Sequence, residues 1–113
     1  MARRKIKDLP LEDRPREKLL VEGSEALSDV ELLAILIGSG TQGKSALDIA
    51  KELLDRLGGY RGIAGRSIAE LTEIEGMGEA KAAVVAAAYE IATRIVEMVL
   101  EDLDSRAWRF RNV

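Results

Sequence analysis

A pattern of two apolar residues followed by Gly-x-Gly occurs twice in this chain, 38 residues apart. The first copy consists of Leu33, Leu36, Gly38 and Gly40, and the second of Leu71, Ile74, Gly76 and Gly78. In each copy a helix with an N-cap signal comes before the glycines and a second helix follows them. An internal repeat constrains a fold more strongly than a single local motif. The sequence therefore predicts two similar helical units, each with a glycine turn.

Helix-forming patterns cover nearly the whole chain, whereas strand patterns are weak. Aromatic residues make up 4% of the sequence, and β-branched residues seldom alternate with polar ones. Ser28, Ser45 and Ser67 each stand three residues before an acidic residue and open an apolar run, which is typical of a helix N-cap. Helices are expected at about residues 15–22, 28–37, 45–57, 67–75 and 79–103, with no sheet. The last of these places Val84, Ala88, Ile91, Ile95 and Met98 on one apolar face.

The second copy of the repeat resembles the helix-hairpin-helix motif, and the first copy, with its longer loop at residues 40–44, resembles it less closely. Glycine relieves the backbone strain of a tight turn between two helices, and Met77 between the two glycines is expected to enter the core. The N–H groups of Gly76, Gly78 and the next helical turn should then point outward. Together with the positive end of the helix dipole, they favour the binding of one phosphate.

These features predict weak DNA binding without sequence preference, because phosphate contacts position a duplex without reading its bases. The predicted fold class is all-α, a five-helix tandem helix-hairpin-helix domain with an extended C-terminal helix. The candidate phosphate-binding residues are Gly76, Gly78, Lys81, Gly38, Gly40 and Lys44. No catalytic residue, metal ligand or cofactor is predicted.

The charge distribution leaves a second function open. Lys and Arg outnumber Asp and Glu by three in residues 1–20, whereas Asp and Glu lead by six in residues 21–113. A protein that held nucleic acid by bulk attraction would be basic across its body, and here Glu75 and Glu79 flank the second Gly-x-Gly. The alternative is a protein-interaction module that packs on a further domain or forms a homodimer.

A third alternative is nucleotide binding, since residues 38–45 fit the P-loop pattern G-x-x-x-x-G-K-[ST]. That motif requires a preceding strand and a parallel sheet. The sequence before it carries helix signals instead, which makes this the least favoured of the three functions.

Composition removes several classes of chemistry. The chain has no cysteine and no histidine, which excludes thiol nucleophiles, imidazole bases, disulfides and ordinary structural zinc sites. No apolar run reaches the roughly 18 residues of a membrane span, and no signal-peptide pattern is present. A soluble, cytoplasmic protein without enzymatic activity is expected.

Several separated segments, taken together, resemble the RadC family of bacterial proteins over about residues 5–95. They are residues 6–10, 14–19, 27–34, 38–41, 53–54, 58–59 and 74–83. The resemblance implies a helix-hairpin-helix region that family members pair with a C-terminal JAB/MPN-type domain carrying a His-rich zinc signature, and a link to DNA repair. Because this chain has no histidine, it is expected to correspond to the N-terminal region alone.

The expected organisation has three parts. Residues 1–26 form a basic arm with a short helix, residues 27–104 form the tandem domain, and residues 105–113 form an Arg/aromatic tail. The tail is expected to be a linker or a first strand, with stacking on bases as the alternative. Four apolar residues of the last helix are candidates for a homodimer contact or for packing on the absent domain: Ile95, Met98, Val99 and Leu103.

Overall fold

The computed structural model describes the backbone of residues 14–111 and the side chains of residues 14–106. Within this range there are six α-helices and a 3₁₀ turn at Ser24–Ala26. The helices are α1 Pro15–Glu22, α2 Asp29–Ile37, α3 Ala46–Leu57, α4 Tyr60–Ile63, α5 Ile68–Leu71 and α6 Glu79–Arg111. The described residues contain no strand, and their one β-bridge joins Thr41 to Lys44. The predicted all-α class is confirmed.

Three of the helices begin with reciprocal capping boxes, as the serine spacing predicted. Ser28, Ser45 and Ser67 each accept a hydrogen bond from the backbone N–H three residues later. The acidic side chain at that third position accepts one from the serine N–H, and all six bonds measure 3.0–3.2 Å. These bonds satisfy backbone donors that a helix start leaves unpaired.

The core is built around α3, which packs against α2 and α4. Ile49 and Leu53 of α3 are completely buried. The other large side chains with almost no exposure come from the surrounding elements: Leu33, Ile63, Leu71 and Val85. Met77, between the second pair of glycines, is 2% exposed, so the prediction that it enters the core is confirmed.

The helix count and one helix end differ from the sequence prediction. A sixth, four-residue helix, α4, follows the positive-φ pair Gly58 and Gly59 and buries Ile63. The helix expected at residues 67–75 is shorter: α5 ends at Leu71, and a turn replaces its last residues.

The two ends of the chain are only partly described. The short helix predicted in the basic arm is present as α1, whereas residues 1–13 of that arm lie outside the described residues. The backbone of residues 105–111 is helical and continues α6. The prediction of a first strand is therefore wrong for residues 105–111. The predicted stacking of Trp108 and Phe110 on bases involves side chains outside the described residues.

α6 contacts the core through a different side from its predicted apolar face. Ala82 and Val85 are completely buried, whereas Val84 is 45% exposed and Ile91 60% exposed. Tyr89 packs its ring edge-on against Tyr60 of α4 at 6.5 Å between centroids. None of the described helices has an apolar stretch long enough to cross a bilayer.

The α2 capping box should make stability depend on pH. The hydrogen bond from the Ser28 N–H, supported by Lys18 at 3.3 Å, lowers the pKa of Glu31 below its ordinary value of 4.5. As pH falls, the Glu31 carboxylate is therefore protonated at higher pH in the unfolded chain than in the folded chain. The contribution of Glu31 to the free energy of unfolding is lost as pH falls below about 4.5.

We expect Glu31→Gln to reduce the acid-induced loss of stability, because glutamine keeps the box but does not titrate. Thermal melts between neutral pH and pH 3 measure this loss. Glu73→Gln is the matched control, since the exposed Glu73 side chain makes no hydrogen bond among the described residues. Equal pH profiles for the two variants would contradict the assignment.

Candidate nucleic-acid interface

The two Gly-x-Gly segments form two loops with matching glycine conformations. The first loop, residues 38–45, joins α2 to α3, and the second loop, residues 72–78, joins α5 to α6. Gly38 and Gly76, the first glycines of the two loops, have φ angles of 82° and 94°. Gly40 and Gly78, the second glycines, lie outside the positive-φ region. Corresponding glycines of the two copies therefore agree in the sign of φ.

The loops lie against each other, with Ile49 of α3 beneath them. A Cβ on Gly76 would lie 2.7 Å from Ile49 Cδ1 and 3.6 Å from Thr41 Oγ1. There is no space for a side chain at this position, and its φ angle independently disfavours one. Gly76 thus allows the second loop to pack closely on Ile49 of α3.

Each loop is also bound by the lysine that follows the other loop's glycines. Lys44 Nζ donates to the Glu75 carbonyl oxygen at 3.0 Å, and Lys81 Nζ donates to the Ser39 carbonyl oxygen at 2.6 Å. Lys44 additionally pairs with the Glu52 carboxylate, and this hydrogen bond lowers the pKa of Glu52. Both predicted phosphate-binding cations therefore connect the two loops.

The backbone amides of the first loop are largely engaged within the protein. The Gly38 N–H donates to the Ala34 carbonyl at 2.9 Å, and the Thr41 N–H donates to the Lys44 carbonyl at 2.8 Å. At the start of α3, the Ser45 N–H donates to the Asp48 carboxylate at 3.0 Å. An anion at this helix terminus would have to displace a negatively charged side chain.

The backbone amides at the start of α6 are open. Gly78 is the N-cap residue, because its carbonyl accepts the Ala82 N–H at 3.0 Å, and as a glycine it has no side chain to cap the helix. Among the described residues, the N–H groups of Gly78, Glu79, Ala80 and Lys81 donate to no acceptor. Within residues 14–111, this terminus thus joins four N–H groups without an acceptor to the positive end of the longest described helix.

The surroundings of this terminus are shallow and acidic. A depression of about 540 Å³ lies there, lined by residues of the second loop together with Thr41, Ala80 and Lys81. Glu73, Glu75 and Glu79 are exposed around it. Lys81 is the cation among its lining residues, which include Glu73 and Glu75, so carboxylates outnumber ammonium groups there.

The structure thus brings Gly76, Gly78 and Lys81 together at one surface, where Thr41 of the first loop lines the same depression. Sequence reasoning missed the Ser39 and Glu75 carbonyls as lysine acceptors, because this pairing depends on how tertiary packing brings the two loops together.

The P-loop alternative does not fit the structure. The element before residues 38–45 is helix α2, and the described residues form no sheet. Lys44, which would have to reach a nucleotide phosphate, donates to Glu52 and Glu75 instead.

Comparisons with known proteins place the chain among bacterial relatives. The UPF0758 N-terminal family model matches residues 6–83. A UPF0758 protein of Geotalea uraniireducens is 48% identical over 101 residues, covering 88% of this chain and 44% of the relative. UPF0758 proteins of Trichlorobacter lovleyi and Rubrobacter xylanophilus are 46% and 47% identical, covering 92% and 80% of this chain and 46% and 40% of their own lengths. The chain spans less than half the length of these relatives, and no solved structure matches it.

The second glycines of the two loops should respond differently to alanine. At Gly40 a Cβ would lie 2.0 Å from the Lys44 carbonyl oxygen, whereas at Gly78 it meets nothing within 4 Å. We expect Gly40→Ala to lower the free energy of unfolding by about 1–3 kcal/mol through overpacking. Gly78→Ala should cost less than about 1 kcal/mol, the size of an N-cap effect. Urea unfolding of both variants measures the difference, and equal losses would rule out distinct roles for the two glycines.

Proposed function

This chain belongs to the UPF0758 family, the RadC-like family its segments resemble, and we propose that it binds the sugar-phosphate backbone of DNA through the open amides at the start of α6. In this proposal α5, the second loop and α6 act as a helix-hairpin-helix unit. The oxygens of one phosphate group accept hydrogen bonds from the N–H groups of Gly78, Glu79 and Ala80.

The unpaired amides at this terminus are the observation that carries the proposal. α2, α3 and α5 each close their first turn with their own side chains, whereas α6 follows a glycine and leaves its first donors open. Buried Met77 and the absence of space for a Cβ at Gly76 fix the loop beside it. Helix starts arranged in this way bind phosphate groups.

In this proposal the first loop supports the second loop and does not itself bind phosphate. Its lysine and the Lys81 ammonium hold the two loops together, and its helix terminus is occupied by Asp48. Phosphate binding by Gly38, Gly40 or Lys44 stays a prediction, and it would require some of these internal bonds to break. A second phosphate contact is therefore not part of the proposed site.

Such binding is independent of base sequence and weak. Every nucleotide presents the same phosphate, so backbone amides position a duplex without reading it. The three glutamates around the depression oppose the approach of a phosphate. Each neutralised phosphate contributes a slope of about −0.9 in log affinity against log salt for duplex DNA, so few contacts give a shallow salt dependence.

The activity of full-length relatives is a separate proposal. The RadC resemblance implies a role in DNA repair and a zinc-dependent JAB-type domain, and the chain spans less than half of the relatives it matches. We assign to this chain the DNA-holding role and no catalytic step. Its contribution to repair would be to retain the whole protein on a duplex.

Gly78→Asp tests the site directly. The aspartate side chain should cap α6 and occupy the amides that the phosphate needs, so affinity for a labelled duplex in low-salt fluorescence anisotropy should fall at least about tenfold. The melting temperature should be unchanged or higher, because Asp is at least as good an N-cap residue as Gly. Loss of binding without loss of stability separates a binding role from a structural one.

Two further variants complete this experiment. Ser105→Asp adds the same carboxylate at an exposed position far along α6 and should leave affinity nearly unchanged. Glu79→Gln removes a carboxylate beside the site and should strengthen binding. Wild-type binding that is undetectable at low salt, or equal affinities of the wild type and Gly78→Asp, would refute the proposal.

A further inference from the structure

Residues 91–103 of α6 carry seven large apolar side chains that the described residues leave uncovered. They are Ile91, Ile95, Val96, Met98, Val99, Leu100 and Leu103, each 50–63% exposed. Every residue from Glu90 to Arg106 is exposed, so this segment, the α6 arm, extends away from the core. A continuous apolar patch on such an arm marks an interaction surface.

The α6 arm is amphipathic rather than apolar all around. At about 100° per residue, the seven apolar side chains fall on one side of the helix. Glu97 and Glu101 fall on the other side, which also carries the ion pair between Arg94 and Glu90 at 3.0 Å. An arm with one apolar side requires a partner along that side, because an isolated helix gains little stability from its own backbone.

Six of the seven apolar positions are distributed symmetrically about Glu97, whereas Leu100 has Arg94 at its mirror position. Ile95 and Val99 stand two positions on either side of it, and Ile91 and Leu103 stand six positions away. In an antiparallel pair of identical helices centred at Glu97, Ile95 of one copy lies level with Val99 of the other. Ile91 lies level with Leu103 in the same way, so each of these four apolar residues meets another.

The same register also accommodates the two polar residues on this side. Asp102 lies level with Ala92 of the second copy, and Arg106 lies level with Ala88. The small alanines leave room for the longer polar side chains to extend to water. The pattern is therefore complementary to itself, as a two-fold interface requires.

We propose that two copies of this chain associate through their α6 arms as an antiparallel helix pair centred at Glu97. The seven side chains expose on the order of 700 Å² per copy, which is an upper limit on the area the pair can bury and lies below the ~800 Å² per partner of a standard interface, so the association is expected to be weak. Neither the core nor the open amides of Gly78 and Ala80 take part, so this association is independent of DNA binding.

Sedimentation equilibrium of the full chain, from low micromolar to near-millimolar concentration, tests the association. The wild type should sediment as a dimer over the upper part of this range. Val99→Lys should raise the dissociation constant of the dimer at least about tenfold, because it places a charge in the apolar contact between the two α6 arms. Glu97→Lys introduces the same side chain two positions away on the opposite side and should leave the dimer intact.

A mixing experiment tests the register. Ile95→Glu and Val99→Lys should each be monomeric alone, whereas an equimolar mixture should form a heterodimer. Positions 95 and 99 of the two copies lie level only in the antiparallel arrangement, which brings the introduced carboxylate beside the introduced ammonium. At concentrations where the wild type is monomeric, both variants should keep its melting temperature, because neither residue belongs to the core.

Three results would overturn the proposal. The first is a wild-type chain that stays monomeric throughout, which would assign the α6 arm to another partner such as the remaining half of the longer relatives. The second is an equal effect of Val99→Lys and Glu97→Lys on the dimer. The third is a failure of the two monomeric variants to associate when mixed.

Discussion

The contact between the two Gly-x-Gly loops above the buried Ile49 side chain is the interaction on which this structure depends. Gly76 allows the second loop to lie directly on Ile49, because a side chain there would overlap Ile49. Lys44 and Lys81 secure the contact between the loops by donating to carbonyls of the opposite loop. The two helical units are thereby joined into one body, and the start of α6 is held at its surface with its first amides pointing to no acceptor among the described residues.

The sequence predicted the features that depend on a few neighbouring residues. The capping boxes at Ser28, Ser45 and Ser67 and the turns at the two Gly-x-Gly segments follow from local chemistry, because the residues that form each of them are within three positions of one another. Which glycine of each pair takes the positive φ angle was not predicted. The ends of α2 and α3 at glycine could be predicted for the same reason.

Features that depend on tertiary packing could not be predicted in this way. The lysine contacts join residues 31 and 42 positions apart, and no local pattern indicates them. α4 is four residues long, too short for a periodic signal. The core-facing side of α6 differs from the prediction because apolar residues occupy a wide part of its surface, and only contact with α2 and α5 selects Ala82 and Val85. For the candidate site, the glycines were predictable, but the engagement of both lysines was not.

The two activities proposed for the two ends of α6 would reinforce each other. In the proposed site, the start of α6 binds one phosphate, and a single weak contact gives little affinity. If its arm pairs two chains, the dimer carries two such sites on one particle, and the second contact becomes intramolecular once the first has formed. Self-association would then compensate for the acidic surroundings of each site without adding any positive charge.

A two-dimensional amide NMR titration of the chain with a short duplex at low salt tests most directly whether the amides at the start of α6 bind phosphate. The N–H resonances of Gly78, Glu79 and Ala80 should shift progressively, while those of Gly38, Thr41 and Ser45, which already donate within the protein, should remain in place. Unchanged resonances at the start of α6, with shifts confined to the first loop or the basic arm, would contradict the proposed site.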